Sequence, residues 1–270
     1  MKKLVLGFCS AAIITASALA ATGCNTDKIY VDTNAYFAPF EYLDGTDIKG
    51  VDIDIMNLVG EKLDKKVVFE NTDFDVIVDN VSSGKKYDCG AAGITITEKR
   101  KALVDFSTPY YTSVQYVIYK GDTLHVDGTS TDGKSLEYVL WSSLAGLKLG
   151  VQTNTTGDIY ANDEIDNGAL KGTGATCNGY QDAIVATDAI GTQLDAVIVD
   201  ELPAKYIVKG NSALKCYPLY YDATTATEEQ YAICVTKGNS ELLNAINEVL
   251  AELGEEGINN LVAKHLGIDK

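Results

Sequence analysis

The stretch Gly93-Ile-Thr-Ile-Thr-Glu-Lys-Arg-Lys-Ala-Leu-Val-Asp-Phe-Ser-Thr-Pro-Tyr-Tyr111 joins a strand end, a helix start and a turn in very few residues. Within it lies Arg100, the only arginine in the chain. A guanidinium is a planar fork that holds a carboxylate by two parallel hydrogen bonds, which lysine cannot do. Thr97 with Glu98 opens a short helix, so Arg100 falls in its first turn, where free N–H groups and the helix dipole also favour an anion. Arg100 therefore reads as an anion clamp, against the alternative of a solvated helix face.

On the N-terminal side the pattern is β-α-β-α-β. Ile29–Thr33 reads as a strand, Asn34–Phe40 as a loop containing Pro39, and Glu41–Asp47 as a hairpin turning at Asp44-Gly45. Gly50–Leu63 has apolar residues at helical spacing with Asp52 placed as its cap. Val67–Phe69 is a strand, Asp75–Ser83 a helix stopped at Gly84, and Tyr87–Gly93 a third strand of small residues. Strands separated by helices pair in parallel, and the ligand crevice of an open parallel sheet lies beyond their carboxyl ends. Those ends are Asn34–Phe37, Asn71–Phe74 and Gly93–Arg100.

On the C-terminal side the pattern restarts. Tyr110–Lys120 crosses over, a polar insert runs from Gly121 to Lys134, and Leu147–Val151, Ala175–Tyr180 and Leu194–Val199 are strands, each followed by a helix. The last ends in Asp200. Lys215–Tyr221 and Gln230–Val235 are strand-like, and Ser240–Leu253 and Ile258–Leu266 are amphipathic helices that return to complete the first lobe. The expectation is two α/β lobes, 28–114 with 230–270 and 115–229, joined by two crossing segments that form a hinge.

Before Lys28, the cationic Met1-Lys2-Lys3 and the apolar run Leu4–Ala21 read as a secretion signal over 1–23. Ala21-Thr22-Gly23-Cys24 resembles the lipobox of bacterial lipoproteins, which implies a lipid on Cys24, a short tether over 24–27 and a location on the outer face of the cell membrane. Loss of Lys2 and Lys3 makes the formal charge of −16 still more negative, a poor surface for nucleic acid. The remaining Cys89, Cys177, Cys216 and Cys234 are widely spaced with only His125 and His265 beside them, so no metal or cofactor is expected. Buried thiols are the default, and a disulfide is left open.

Ala38-Pro-Phe-Glu-Tyr42, Gly50-Val-Asp-Ile-Asp54, Gly93–Arg100, Val104–Tyr111 and Asp195–Asp200, in this order, resemble the bacterial extracellular solute-binding proteins of family 3, the amino-acid receptors of ABC importers. The resemblance implies a two-lobed periplasmic-binding-protein-like fold of type II, a monomer that meets an ABC permease, and no catalysis. It implies that Arg100 grips the α-carboxylate of a free amino acid with the Thr95 amide and hydroxyl and the N–H groups of Thr155 and Thr156. Asp200 would take the α-ammonium beside the Gly93 carbonyl, and Phe37 and Phe74 would sandwich the side chain.

Some residues depart from the family pattern. Asn34 stands where binders of basic amino acids resemble one another in carrying an acid, and Gln152 and Val199 stand where glutamine binders tend to have basic or imidazole groups. A neutral polar side chain is therefore expected. Asn154 replaces a common glycine, which asparagine can do by adopting a left-handed backbone. Two rivals are an enzyme resembling the periplasmic cyclohexadienyl or arogenate dehydratases and a ligand-sensing receptor. The enzyme needs a general acid or base at the ligand, and neither histidine falls at a strand's carboxyl end.

Overall fold

A computed structural model describes residues 27–267. The signal and Cys24 lie outside the described residues.

The first lobe is built on a five-stranded sheet in the spatial order Lys66–Asn71, Lys28–Thr33, Cys89–Gly90, Cys234–Val235, Asp105–Phe106. The first three pair in parallel and the last two antiparallel. The helices Val51–Leu63 and Phe74–Ser83 flank it. Gly50 before the first has φ 142°, and a Cβ there would lie 1.9 Å from the Phe40 carbonyl oxygen, so the chain can enter this helix only through glycine. Asp52, expected as the cap, makes no capping bond; the N-cap is Gly50, and Asp52 is buried with its carboxylate on other partners.

The expected third strand over 87–93 shortens to Cys89–Gly90. Beyond it the backbone turns away, and Gly93 takes the left-handed φ of 53°, where an added Cβ would meet the Phe37 ring at 2.7 Å. Cys89 and Cys234 sit on neighbouring strands, but Cys234 opposes Gly90 and Cys89 opposes Val235. They therefore point to opposite faces and cannot bridge. All four described cysteines are free thiols, and burial pushes the Cys234 thiol up to about 12.

The second lobe is a nine-stranded sheet. Its main path runs Thr176–Tyr180, Lys148–Gln152, Ala196–Asp200, Tyr111–Lys120, Leu214–Asp222, Glu137–Leu140, Gly128–Thr129. The strand Tyr111–Lys120 is the pivot: its far half pairs with Ala196–Asp200 and Leu214–Pro218, while its first residues pair with the returning Glu228–Tyr231. These two antiparallel segments are the hinge. The strand Leu214–Asp222 stays in the second lobe, so the return begins only after it.

A separate core around Trp141, Leu144, Leu149 and Val151 holds the second lobe. The C-terminal helix Ser240–Leu266 packs on Val51–Leu63 and breaks at Gly254 (φ 57°, ψ −174°), which divides it much as the sequence pattern divides it.

Candidate functional site

Between the lobes lies a small, mostly enclosed cavity. Its walls are Asn34, Phe37, Phe74, Gly93, Thr95, Arg100, Gln152, Thr155, Thr156 and Asp200, every residue expected of the site, with Ala92 added. They come together because each follows the carboxyl end of a parallel strand, and the two sheets face each other across the hinge. The lobes are closed. Gln152 Nε2 donates to Asn34 Oδ1 at 2.9 Å, Asn154 Nδ2 to the Asp75 carbonyl at 3.2 Å, and Gln181 Nε2 to Asp73 at 2.9 Å.

Arg100 is buried, its backbone N–H donating to the Thr97 hydroxyl at the helix cap. Its guanidinium donates to the Thr95 carbonyl at 2.8 Å and, across the cleft, to the Asn154 carbonyl at 2.9 Å. The carbon of the guanidinium lies 5.4 Å from the centre of the Phe74 ring, so Phe74 backs the cation as well as walling the cavity. Two of five N–H groups are thus used to hold the fork, and the others are left for a ligand.

Asn154 has φ 62°, the left-handed backbone expected of it. Its N–H donates to Asp158 at 2.8 Å, so this amide serves the loop itself. Thr155 caps the helix Thr156–Asp166 by accepting from the Asp158 N–H at 3.3 Å, and its own hydroxyl donates to the Gln152 carbonyl at 2.8 Å.

Asp200 ends its strand buried, with Gln115 Nε2 donating to it at 2.6 Å. Burial raises its carboxyl well above the usual range, the neighbouring Glu229 adds to this, and Arg100 opposes it. Burial likewise lowers the Arg100 pKa.

Two expected contacts are corrected: the Thr155 N–H, expected to face the carboxylate, donates to the Gln152 carbonyl at 3.4 Å within its own turn. The Thr95 hydroxyl does not lie free for a carboxylate: it donates to Glu229 at 2.8 Å. Glu229 and Gln115 are the residues that the sequence reading missed. Glu228–Tyr231 alternates exposed, buried, exposed, buried, and Glu229 shares the inward parity of Tyr231. That two-residue period is the available signal, but the apolar run in the sequence marks the strand only from Gln230.

A larger cavity of about 170 Å³ opens outside the cleft against Tyr36, Tyr42, Ile184, Pro203 and Tyr206. No charged side chain lines it, so it offers nothing to hold a zwitterion. Neither histidine enters the inter-lobe cavity; His265 instead lies between Tyr42 (3.0 Å) and Asp54 (2.8 Å).

A sequence profile of the bacterial extracellular solute-binding proteins, family 3, matches residues 29–268. The chain belongs to this family. Among the family's members, it is 30% identical to a probable histidine-binding protein of Neisseria gonorrhoeae over 92% of this chain and 90% of that protein. It is similar in structure to an amino-acid ABC transporter substrate-binding protein, AbpA of Streptococcus pneumoniae, bound to L-arginine (TM-score 0.76, 28% identity, 90% of this chain and 97% of that one). An ancestral arginine-binding protein bound to glutamine is also similar (TM-score 0.71, 31% identity, 89% and 98%). These are two-lobed amino-acid receptors of the kind that serve ABC importers, not enzymes.

Proposed function

We propose that this family-3 protein is a lipid-anchored, extracytoplasmic receptor that closes over a free L-amino acid and delivers it to an ABC permease. One observation carries the reading: a guanidinium and a carboxylate, Arg100 and Asp200, face one closed cavity between the lobes. A zwitterion supplies the opposite charge to each, and removal from water strengthens both contacts. The lobes divide at 114/115 and 229/230, because the antiparallel hinge segments Tyr111–Val114 and Glu228–Tyr231 are where the chain crosses. Lipid on Cys24 would hold the monomer to the outer face of the membrane.

The ligand side chain is neutral and polar. Away from Arg100 and Asp200 the polar walls are the amides of Asn34 and Gln152, hydrogen-bonded to each other across the cleft. Gln152 spends both N–H groups on Asn34 and the Gln181 carbonyl and keeps its carbonyl oxygen, while Asn34 gives one N–H to the Thr72 carbonyl and keeps the other, so the pair together suits an amide, hydroxyl or neutral imidazole. The ancestral relative bound to glutamine shows that a protein named for arginine can hold such a ligand. The names of the relatives favour a second reading, a basic amino acid, but no carboxylate other than Asp200 lines the cavity here.

Isothermal titration against the common L-amino acids tests both. Binding of glutamine, asparagine, serine or histidine near micromolar, roughly −8 kcal/mol, is the expected result. Binding confined to arginine and lysine would replace the side-chain assignment, and silence across the panel would end the receptor reading.

A further inference from the structure

Glu229 is buried at 5% exposure in the returning hinge strand. One of its carboxylate oxygens accepts from two hydroxyls at once, Thr95 of the first lobe at 2.8 Å and Thr156 of the second at 2.5 Å. The other oxygen accepts from Gln115 Nε2, the same amide nitrogen that donates to Asp200. Gln115 comes from the outgoing hinge strand. One carboxylate thus gathers both lobes and both hinge strands.

A hydroxyl has one proton to give. Thr95 and Thr156 each give theirs to Glu229, so what they present to the cavity they line is lone pairs. Asp200 lines the same cavity and shares the Gln115 amide with Glu229. This side of the cavity is therefore a set of acceptors backed by a second carboxylate. An ammonium, with three N–H donors and a positive charge, matches it; a hydroxyl offers one donor and no charge, and a carboxylate is repelled.

The carbonyl oxygen of the Gln115 side chain, buried without a hydrogen-bond partner, adds a further acceptor beside this pair. Because the two threonines come from opposite lobes, the acceptor set is complete only when the lobes close. The amine is thus recognised in the closed state.

We propose that Glu229 is a specificity-determining residue for the ligand's amine: by drawing the protons of Thr95 and Thr156 it makes both hydroxyls acceptors, and so selects a primary ammonium over a hydroxyl at the same carbon. This rests on the amino-acid receptor reading and deepens it. The substitution Glu229→Gln keeps the shape of the side chain and removes the charge. Titrations compare wild type and variant with the tightest-binding L-amino acid of the panel and with its 2-hydroxy acid analogue. The expected result is a loss of roughly tenfold or more for the amino acid with little change for the hydroxy acid, so that the ratio of the two affinities falls about tenfold.

Equal losses for both ligands would make Glu229 a structural tie only and overturn the proposal while leaving the receptor reading intact. A wild type that binds no amino acid would remove both. Thr156→Val, which deletes one acceptor and leaves the carboxylate in place, gives an independent measure should Glu229→Gln fold poorly. It must lower the same ratio, by less, and an unchanged ratio in that variant also counts against the proposal.

Discussion

Two pairs of buried acids lie in this protein, and they differ in what holds them. Glu41 and Asp52 are both fully enclosed. Asp52 accepts from the Gly93 amide at 2.9 Å and the Tyr110 hydroxyl at 2.6 Å, and Glu41 lies against it, so that a protonated Glu41 gives its one proton to Asp52. The hydrogen-bond partners here all belong to the first lobe, so lobe movement leaves them in place. Asp200 and Glu229 share the Gln115 amide, and the threonines that serve Glu229 arrive from opposite lobes.

Burial raises the pKa of Glu41, Asp52 and Asp200 alike. A shifted carboxyl therefore does not by itself mark a site; an opening onto the ligand cavity, with donors carried by parts that move, does.

The sharpest way to separate the pairs is to remove the charge that faces the cavity. Asp200→Asn is expected to lower amino-acid affinity by more than about 100-fold, because an amide cannot neutralise an ammonium. Arg100→Lys should lose a similar amount, since one ammonium cannot span both the Thr95 and Asn154 carbonyls and still present a fork to a carboxylate. Titration measures both. If either variant binds within about threefold of wild type, that residue has no charge contact with the ligand.

Asp200 also sets a direction with pH. Its pKa is raised in the closed protein, and a bound ammonium favours the ionised form. Affinity should therefore rise with pH through the titration of this group, with protons released on binding. Titration in two buffers of different ionisation enthalpy reads the release, and uptake of protons would contradict it.

The first-lobe pair should show its effect in stability instead. Burial pushes Asp52 from 3.8 up to about 6. The folded protein then binds more protons than the unfolded chain between these values, so stability from this group is present below about pH 4 and is lost as pH rises through about 6, by at most roughly 3 kcal/mol. Asp52→Asn removes that slope. Denaturant unfolding of both proteins across this range checks it, and parallel pH profiles would show that Asp52 is not perturbed.

Much of this was readable from residues, and the limits were physical. The site was legible because strand ends are marked by composition: Asn34, Gly93, Gln152 and Asp200 each close an apolar or small-residue run. Arg100 stood out by type and by its helix-cap context. Asp52 was misread because a capping acid and an acid reaching inward from the same helix turn look alike in sequence; only Gly93 and Tyr110, 41 and 58 residues away, distinguish them. Glu229 was missed for a related reason. A polar run, Thr-Glu-Glu-Gln, hides its inward parity until the strand it pairs with is known.

The smallest effect tests the comparison most directly. Glu41 is raised well above 4.5 by burial first and by the Asp52 charge second. The folded state therefore holds it neutral where the unfolded chain ionises it, and wild type loses stability as pH rises above about 4.5. Glu41→Gln is neutral at every pH. It gives up that loss but brings two amide N–H donors where the protonated Glu41 brings one toward Asp52, which offsets part of the gain.

The net expectation is a variant more stable than wild type by about 1 kcal/mol at pH 8, with the advantage gone by pH 5 and amino-acid affinity unchanged. Thermal or denaturant unfolding at the two pH values, with one titration of ligand, measures all three. A large affinity loss like that of Asp200→Asn would mean that Glu41 communicates with the cleft after all. The two acid pairs would then be one connected network, with Asp52 and the Gly93 backbone it holds as the link between them.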